Sequence, residues 1–365
     1  MLLGRLGFAL GLLASLPAVA AIDTGPLAKQ PGDTLPPAFS ALQLAADRGD
    51  AAAQNTLGLA YIAAEDFPHD YTKARSWLRK SGNQGNPEAT VNLCDLYLEI
   101  PDAPQDDIDA AVWCRKGGDL GDASAQFHLA LMYTQGHGVP RDYSLAVAWY
   151  QKAADQGLPQ AQFNLANLYK LGYGVPQDYG KAADLFAKAA DTGFAPAMVD
   201  LGNLFKHGLG VPQNLEAAVQ LFTEAADAGV PEGAFNLARL YDEGLGVSQD
   251  YNRALVIYRA MAASGYQAAQ YNLAAMYQQG HGVRANQPAA FALLSLAAEG
   301  PPASADAEAL KLELGRLLSA AELDQARQLV EQMGQPGNFL AALDRFAPPP
   351  DAAAPRPRAS RPDII

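Results

Sequence analysis

The sequence predicts an all-α protein, a right-handed α-solenoid of about seven 36-residue helix–turn–helix units, opened by a half unit and closed by a helical cap. Three observations predict it. Gly49, Gly85, Gly121, Gly157, Gly193, Gly229 and Gly265 stand 36 residues apart, and Gly300 follows after 35. In the same frame fall Leu57, Leu93, Leu129, Leu165, Leu201, Leu237 and Leu273, each followed by a small residue and, four positions beyond the leucine, by Tyr or Phe. An Asp or Asn, from Asp70 through Asn286, holds a third phase, with Ala four positions after it from Ala74 to Ala290. Self-similarity at a fixed period marks a repeat architecture, in which each unit buries its apolar side against its neighbours.

Residues 1–20 read as an export signal: a short charged start ending at Arg5, an apolar run from Leu6 to Leu16, then Pro17 and Ala18-Val19-Ala20. The run is shorter than the roughly 20 residues that span a bilayer, and alanines at −3 and −1 suit a signal peptidase. Cleavage is expected after Ala20, placing the mature chain in the periplasm or outside the cell. The residue directly after that point is Ala21 and not Cys, so no bacterial lipid anchor is expected, and no later stretch predicts membrane insertion. Residues 21–37 form a Pro-rich linker containing Pro31, Pro36 and Pro37. The solenoid spans 38–300, and its first part, 38–49, matches a second helix in phase.

Within a full unit, Leu165, Ala166 and Tyr169 fall at i, i+1 and i+4, one stripe of a first helix. The small residue lets a second helix approach and the aromatic fills the space beside it. That second helix is expected to start at its Asp or Asn, which caps orphan backbone N–H groups: Asp70, Asp106, Asp142, Asp178, Asn214, Asp250 and Asn286. It stops at the periodic glycine, which tolerates positive φ. Five units join their helices through Gly-x-Gly-Val, beginning at Gly136, Gly172, Gly208, Gly244 and Gly280. No strand precedes these glycines and the third glycine of a dinucleotide fingerprint is missing, so they read as turns without a ligand.

After Gly300 the period fails, yet Ala305–Ser319 and Ala321–Met333 keep helical spacing, and residues 301–346 read as the cap. Residues 347–365, rich in Pro, Ala and Arg, read as a disordered tail.

The succession Ala-Gln-Phe-Asn-Leu-Ala-x-x-Tyr, Gly-x-Gly-Val-Pro-x-Asp-Tyr and Lys-Ala-Ala-x-x-Gly, clearest over 122–193, resembles the Sel1-like repeat, a tetratricopeptide-like family. Units one and two depart from it, with Ala63-Ala64-Glu65-Asp66 and Ile100-Pro101-Asp102-Ala103 in place of the glycine turn. The resemblance implies a scaffold in envelope assembly or signalling. It also implies two alternatives: a β-lactam-binding or hydrolysing enzyme, and a scaffold for envelope polysaccharide export.

Nothing in the sequence singles out catalysis. The histidines His69, His128, His137, His207 and His281 form no His-Glu-x-x-His, and no Cys/His spacing suits zinc. Ser-x-x-Lys and Gly-x-Ser-x-Gly are absent as well. We expect no catalytic residue, metal or cofactor. Cys94 takes the place of the small residue of its unit and Cys114 that of a bulky one, so both face the core, as a disulfide or as two buried thiols. The family's cysteine-rich members bridge their helices at other positions and do not decide between these.

The surface expected to bind lies opposite the core stripe of the first helices, which in such solenoids line the concave face. It carries Asn92, His128, Asn164, Asp200, Asn236 and Asn272 one residue before the periodic Leu, and Asp95, Asn167, Asn203 and Arg239 two after it. Asn offers donors and an acceptor to an extended peptide backbone. With helices about 9 Å apart and about 3.3 Å per extended residue, six rungs serve about 14 peptide residues. Flanking aromatics Phe127, Phe163, Phe235 and Tyr271 either pack ligand side chains or fill the seam between adjacent first helices. A net charge of −13 excludes bulk phosphate binding, hence nucleic acid, and favours a basic or neutral protein or peptide partner.

Overall fold

A computed structural model gives the fold and describes residues 37–63, 70–100, 104–299 and 304–349. The expected signal with its cleavage site, most of the linker, most of the two departing loops, His69, Gly300 and the chain beyond residue 349 lie outside the described residues. The chain divides into two compact units, Met1–Asp178 and Tyr179–Ile365. All eighteen elements among the described residues are helices, arranged as helix–turn–helix repeats of the α-solenoid class.

The first unit opens with the half repeat α1 (Pro37–Asp47) and continues α2 (Ala51–Ala63), α3 (Tyr71–Asn83), α4 (Pro87–Glu99), α5 (Pro104–Asp119), α6 (Ala123–Gln135), α7 (Tyr143–Asp155) and α8 (Pro159–Leu171). Even-numbered helices here are the first helices of their repeats. The second unit runs α9 (Tyr179–Asp191), α10 (Ala195–His207), α11 (Leu215–Asp227), α12 (Pro231–Glu243), α13 (Tyr251–Ala263), α14 (Gln267–Gln279) and α15 (Gln287–Glu299). Its cap is α16 (Ala305–Leu317), α17 (Ala320–Met333) and α18 (Phe339–Phe346).

Second helices start where an aspartate or asparagine satisfies orphan donors. Asp70 accepts from the Lys73 amide, Asp142 from Leu145, Asn214 from Ala217, Asp250 from Arg253 and Asn286 from Ala289. Asp106 corrects the expectation. With no glycine turn before it, α5 begins earlier, at Pro104, and Asp106 sits inside the first turn. There it pairs with Arg75 at 3.4 Å, and Arg75 also donates to the Ile100 carbonyl and lies over the Tyr97 ring.

Five first helices end on a left-handed glycine, Gly136, Gly172, Gly208, Gly244 and Gly280. The second glycine of each turn has a different role, seen at Gly174. Its φ is +72°, and a Cβ there would stand 2.4 Å from the Tyr143 carbonyl carbon and 2.7 Å from the Ser144 nitrogen. The turn of one repeat thus rests on the first turn of the second helix before it, closer than any side chain allows.

Inside a repeat the small residue of the first helix meets the bulky residue of the second. A Cβ on Gly58 would fall 2.6 Å from Leu78 Cγ, and one on Gly202 would fall 2.7 Å from the Phe222 ring. In the second repeat these two places hold Cys94 and Cys114, which are joined as a disulfide with Cα atoms 4.8 Å apart and no exposure. Repeats are fastened to each other by buried glutamines. Gln54, Gln126 and Gln162 donate to the carbonyls of Ala46, Gly118 and Ala154 at the end of the preceding second helix, and in the second unit Gln270 donates to Ala262. Each of these carbonyls also accepts the N–H of the glycine three residues on, so the glutamine adds a second bond at the helix end.

The cap folds back on the array. Arg259 of α13 bonds the Tyr277 hydroxyl at 3.2 Å and pairs with Asp344 of α18, while Tyr277 donates to the Ala347 carbonyl at 3.1 Å. Ala347 is buried, so the cap reaches one residue past Phe346. Its outer surface is not wholly polar, since Leu312 and Leu317 of α16 are exposed.

Candidate functional site

Every side chain expected on the binding surface is half-buried on a first helix. In the first unit Asn92 donates to Asn55 at 3.0 Å, and Asn55 in turn donates to Glu88 at 3.3 Å. Asn167 donates to the Phe163 carbonyl of its own helix at 3.1 Å. Asn164 makes no hydrogen bond with a described side chain or backbone group.

His128 meets Asp95, which the phase places on the same surface, two residues after its periodic Leu. Its Nε2 stands 3.5 Å from Asp95 Oδ1, an oxygen that is buried without a hydrogen bond. Burial, with Glu99 and then Asp122 nearby, pushes the Asp95 carboxyl up to about 7. Burial also pushes the His128 imidazole down to about 4, against the opposing pull of Asp122. Both groups are therefore largely uncharged just below neutral pH. The phase explains the meeting: the position two after the periodic Leu of one repeat faces the position one before it in the next.

In the second unit Asn272 donates to the Tyr258 hydroxyl at 3.1 Å, so a second-helix tyrosine reaches through to this surface. Burial raises the Tyr258 pKa, and Asp242 adds to the rise. Arg239 is bonded to Glu243 of its own helix at 3.0 Å. Asn203 and Asn236 have no hydrogen-bond partner among the described residues.

Lys206, which the sequence reading did not single out, lies in α10 and is only 8% exposed. Burial lowers its pKa, the nearby Arg239 charge lowers it further, and Glu243 opposes both. Its ammonium closes no ion pair or hydrogen bond among the described residues. Lys206 was hidden because a lone lysine carries no motif, and only its phase places it beside Arg239.

The flanking aromatics pack toward second helices. The Phe127 ring is 5.8 Å from Tyr150, and Phe235 is 6.0 Å from Tyr258 and 5.6 Å from Tyr266, contacts made inside their own repeats. His281 in its glycine turn stacks on Tyr251 at 4.2 Å. Among the described residues no group of three His, Cys, Asp or Glu could hold a metal ion, and no helix is long and apolar enough to cross a membrane.

Comparison with known proteins agrees with this architecture. The Sel1 repeat model matches residues 51–86, 87–122, 123–158, 159–194, 195–230, 231–266 and 267–301. No curated protein matches the chain. Among solved structures, a protective antigen of uropathogenic Escherichia coli displaying an SLR fold is 29% identical with a TM-score of 0.61, over 84% of this chain and 75% of that one. A Sel1 repeat protein from Oxalobacter formigenes is 28% identical with a TM-score of 0.57, over 68% of this chain and 98% of its own. Repeats of this kind are commonly protein-interaction scaffolds and typically non-enzymatic. Seven matched repeats, in the register set by the periodic glycines, make this chain a member of the Sel1 repeat family.

Proposed function

We propose that the protein is an exported, non-enzymatic adaptor that binds an extended segment of a partner protein on the first-helix surface. The observation that carries this reading is the set of Asn164, Asn203 and Asn236. These are half-buried amides within helices, a placement that disfavours Asn unless its side chain is used, and none is used among the described residues. Each offers a donor and an acceptor to a peptide backbone. Asn92 and Asn272, by contrast, are committed to internal bonds and belong to the scaffold.

Export is supported by the Cys94–Cys114 disulfide, since such bonds persist in oxidising compartments. The signal-like residues 1–20 support it from the sequence side. The test is a photoreactive residue at Asn203 in cells, with the exposed Lys188 of α9 as control. A single dominant exported protein captured from position 203 alone is the expected result. Equal labelling from both positions overturns the surface assignment, and a mature protein that retains residues 1–20 overturns export.

A further inference from the structure

We propose that the second-helix surface of the first unit, where Arg115 and Tyr133 join repeats two and three, docks an amphipathic helix of a partner protein through an Asp or Glu on that helix. This surface is separate from the first-helix surface of the adaptor reading, and the inference stands without that reading.

Three seams of the array carry the same pair. Arg79, Arg115 and Arg259 share one phase on second helices, and each bonds the hydroxyl of the tyrosine eighteen residues on, Tyr97, Tyr133 and Tyr277. At two of these seams the guanidinium also holds a carboxylate. Arg79 meets Asp109 of α5 at 3.1 Å, and Arg259 meets Asp344 of α18. At the middle seam Leu145 of α7 stands in the phase of Asp109, and Arg115 pairs with no carboxylate among the described residues.

The last seam shows what such a pair receives. There α18 gives Asp344 to Arg259 and, just past its C-terminal end, the Ala347 carbonyl to the Tyr277 hydroxyl. On the same helix Ala342 and Leu343 are buried. The second helix beyond this pair is covered too: α17 packs on α15, where Ala289, Ala292 and Leu293 are wholly buried. The same phases on α7 hold Leu145, Ala148 and Trp149. Leu145 is 41% exposed and Ala148 is exposed beside it. Arg115 is exposed as well, whereas only 12% of the Arg259 side chain is. The middle seam thus has the floor of the last seam without its cover.

Charge fixes the chemistry of the occupant. Around the open seam stand Arg115, Lys116 and Lys152, the two lysines lying over the Trp113 and Trp149 rings at 4.0 and 3.7 Å. A helix carrying a carboxylate would bond the Arg115 guanidinium, a charge-assisted contact stronger than neutral ones. Small and apolar residues on the same helix face would cover Leu145 and Ala148, as the anchors of a helix in a groove do.

The probe is a peptide of residues 338–348, the α18 segment, blocked at both ends and stapled helical between positions 341 and 345, which are exposed in the protein. It is titrated against the full-length protein by fluorescence anisotropy. Arg115→Gln removes the charge. Leu145→Asp restores at the middle seam the carboxylate that Asp109 supplies at the first, on an exposed position in the first turn of α7 where an acid is tolerated. Unchanged melting establishes that both variants are folded.

We expect saturable binding of one peptide per chain, weakened about tenfold by Arg115→Gln and by Leu145→Asp. Asp344→Asn in the peptide should cost about tenfold on the wild type and less than about twofold on Arg115→Gln. No saturable binding up to about 1 mM, or an equal Asp344→Asn loss on both proteins, overturns the proposal. Binding weakened by Arg259→Gln and not by Arg115→Gln means that the peptide replaces the protein's own α18, and overturns the assignment to the middle seam. Self-association of the full-length protein that Arg115→Gln abolishes would make the occupant a second copy of this chain and overturn the partner.

Discussion

Repeats two and five solve the same two packing problems with different chemistry. In repeat five, Gly202 lets the Phe222 ring press on its first helix, and the turn glycine Gly210 lies against the start of α9. In repeat two the first contact is replaced by a covalent bond, Cys94–Cys114. The second is replaced by Arg75, which ties the Ile100 carbonyl, the Tyr97 ring and Asp106 to α3. What the fold holds constant is therefore a pair of contacts at fixed phase, and the residues that make them are free to change.

The sharpest way to break this comparison is at a turn glycine. Gly174→Ala adds a Cβ into the Tyr143 backbone at a left-handed φ, and we expect it to destabilise the first unit by about 3 to 5 kcal/mol in chemical denaturation. Gly157→Ala also has positive φ, +85°, but nothing within 4 Å, and should cost about 1 kcal/mol. Equal losses at the two sites would show that backbone conformation, not the docked turn, sets the cost.

Reducing the disulfide, or replacing both cysteines by Ala, should cost about 3 kcal/mol, the loop-closure entropy of a 20-residue separation. Hydrogen exchange should place that loss in α4 and α5, leaving the second unit unchanged.

The Asp95–His128 pair gives a subtler test. Asp95 has its folded pKa raised from the ordinary 3.8 to about 7, so its contribution is present at low pH and is lost as pH rises through about 7. His128 is lowered from 6.5 to about 4, so its contribution is present above 6.5 and is lost as pH falls through about 4. Between pH 4 and 6.5 the two slopes oppose each other, and the wild type should show little net dependence. His128→Asn should leave a protein that gains up to about 1 kcal/mol per unit as pH falls through that window, and Asp95→Asn one that loses a similar amount. Melting temperatures across the window check both, and parallel slopes in the two variants would contradict the assignment.

The smallest effect is expected for Asn164→Ala/Asn236→Ala, whose amides bond nothing among the described residues. Melting should move by the equivalent of about 0.5 kcal/mol or less while partner capture weakens. A collapse of stability would make these residues structural.

Much of the fold was legible because glycine, leucine and the capping Asp or Asn each answer a local demand that recurs every 36 residues. Gln126 and Gln162 were visible in the same motif, but their role was not, since a bond to a carbonyl eight residues back depends on how two helices cross. Asp106 misled because the cap signature was intact while the turn before it was not. The surface was legible as a row of phases, but which asparagines were free was not. Asn272 and Asn236 share a phase and differ only in that a tyrosine hydroxyl reaches one of them. Lys206 and Asp95 acquire meaning only when adjacent repeats are laid side by side.

The fastening between repeats also has a direction. Gln126 and Gly138 belong to the third repeat and close on Gly118 and Asp107 of the second, so each repeat brings the parts that join it to the one already made. A chain emerging from its N-terminus can therefore lock every seam as soon as about one further repeat has appeared, without waiting for distant sequence. Were the chain delivered as a thread through a narrow channel, as the proposed export requires, assembly would proceed like a zip drawn from the leading end, and a stalled chain would carry only one unfinished seam.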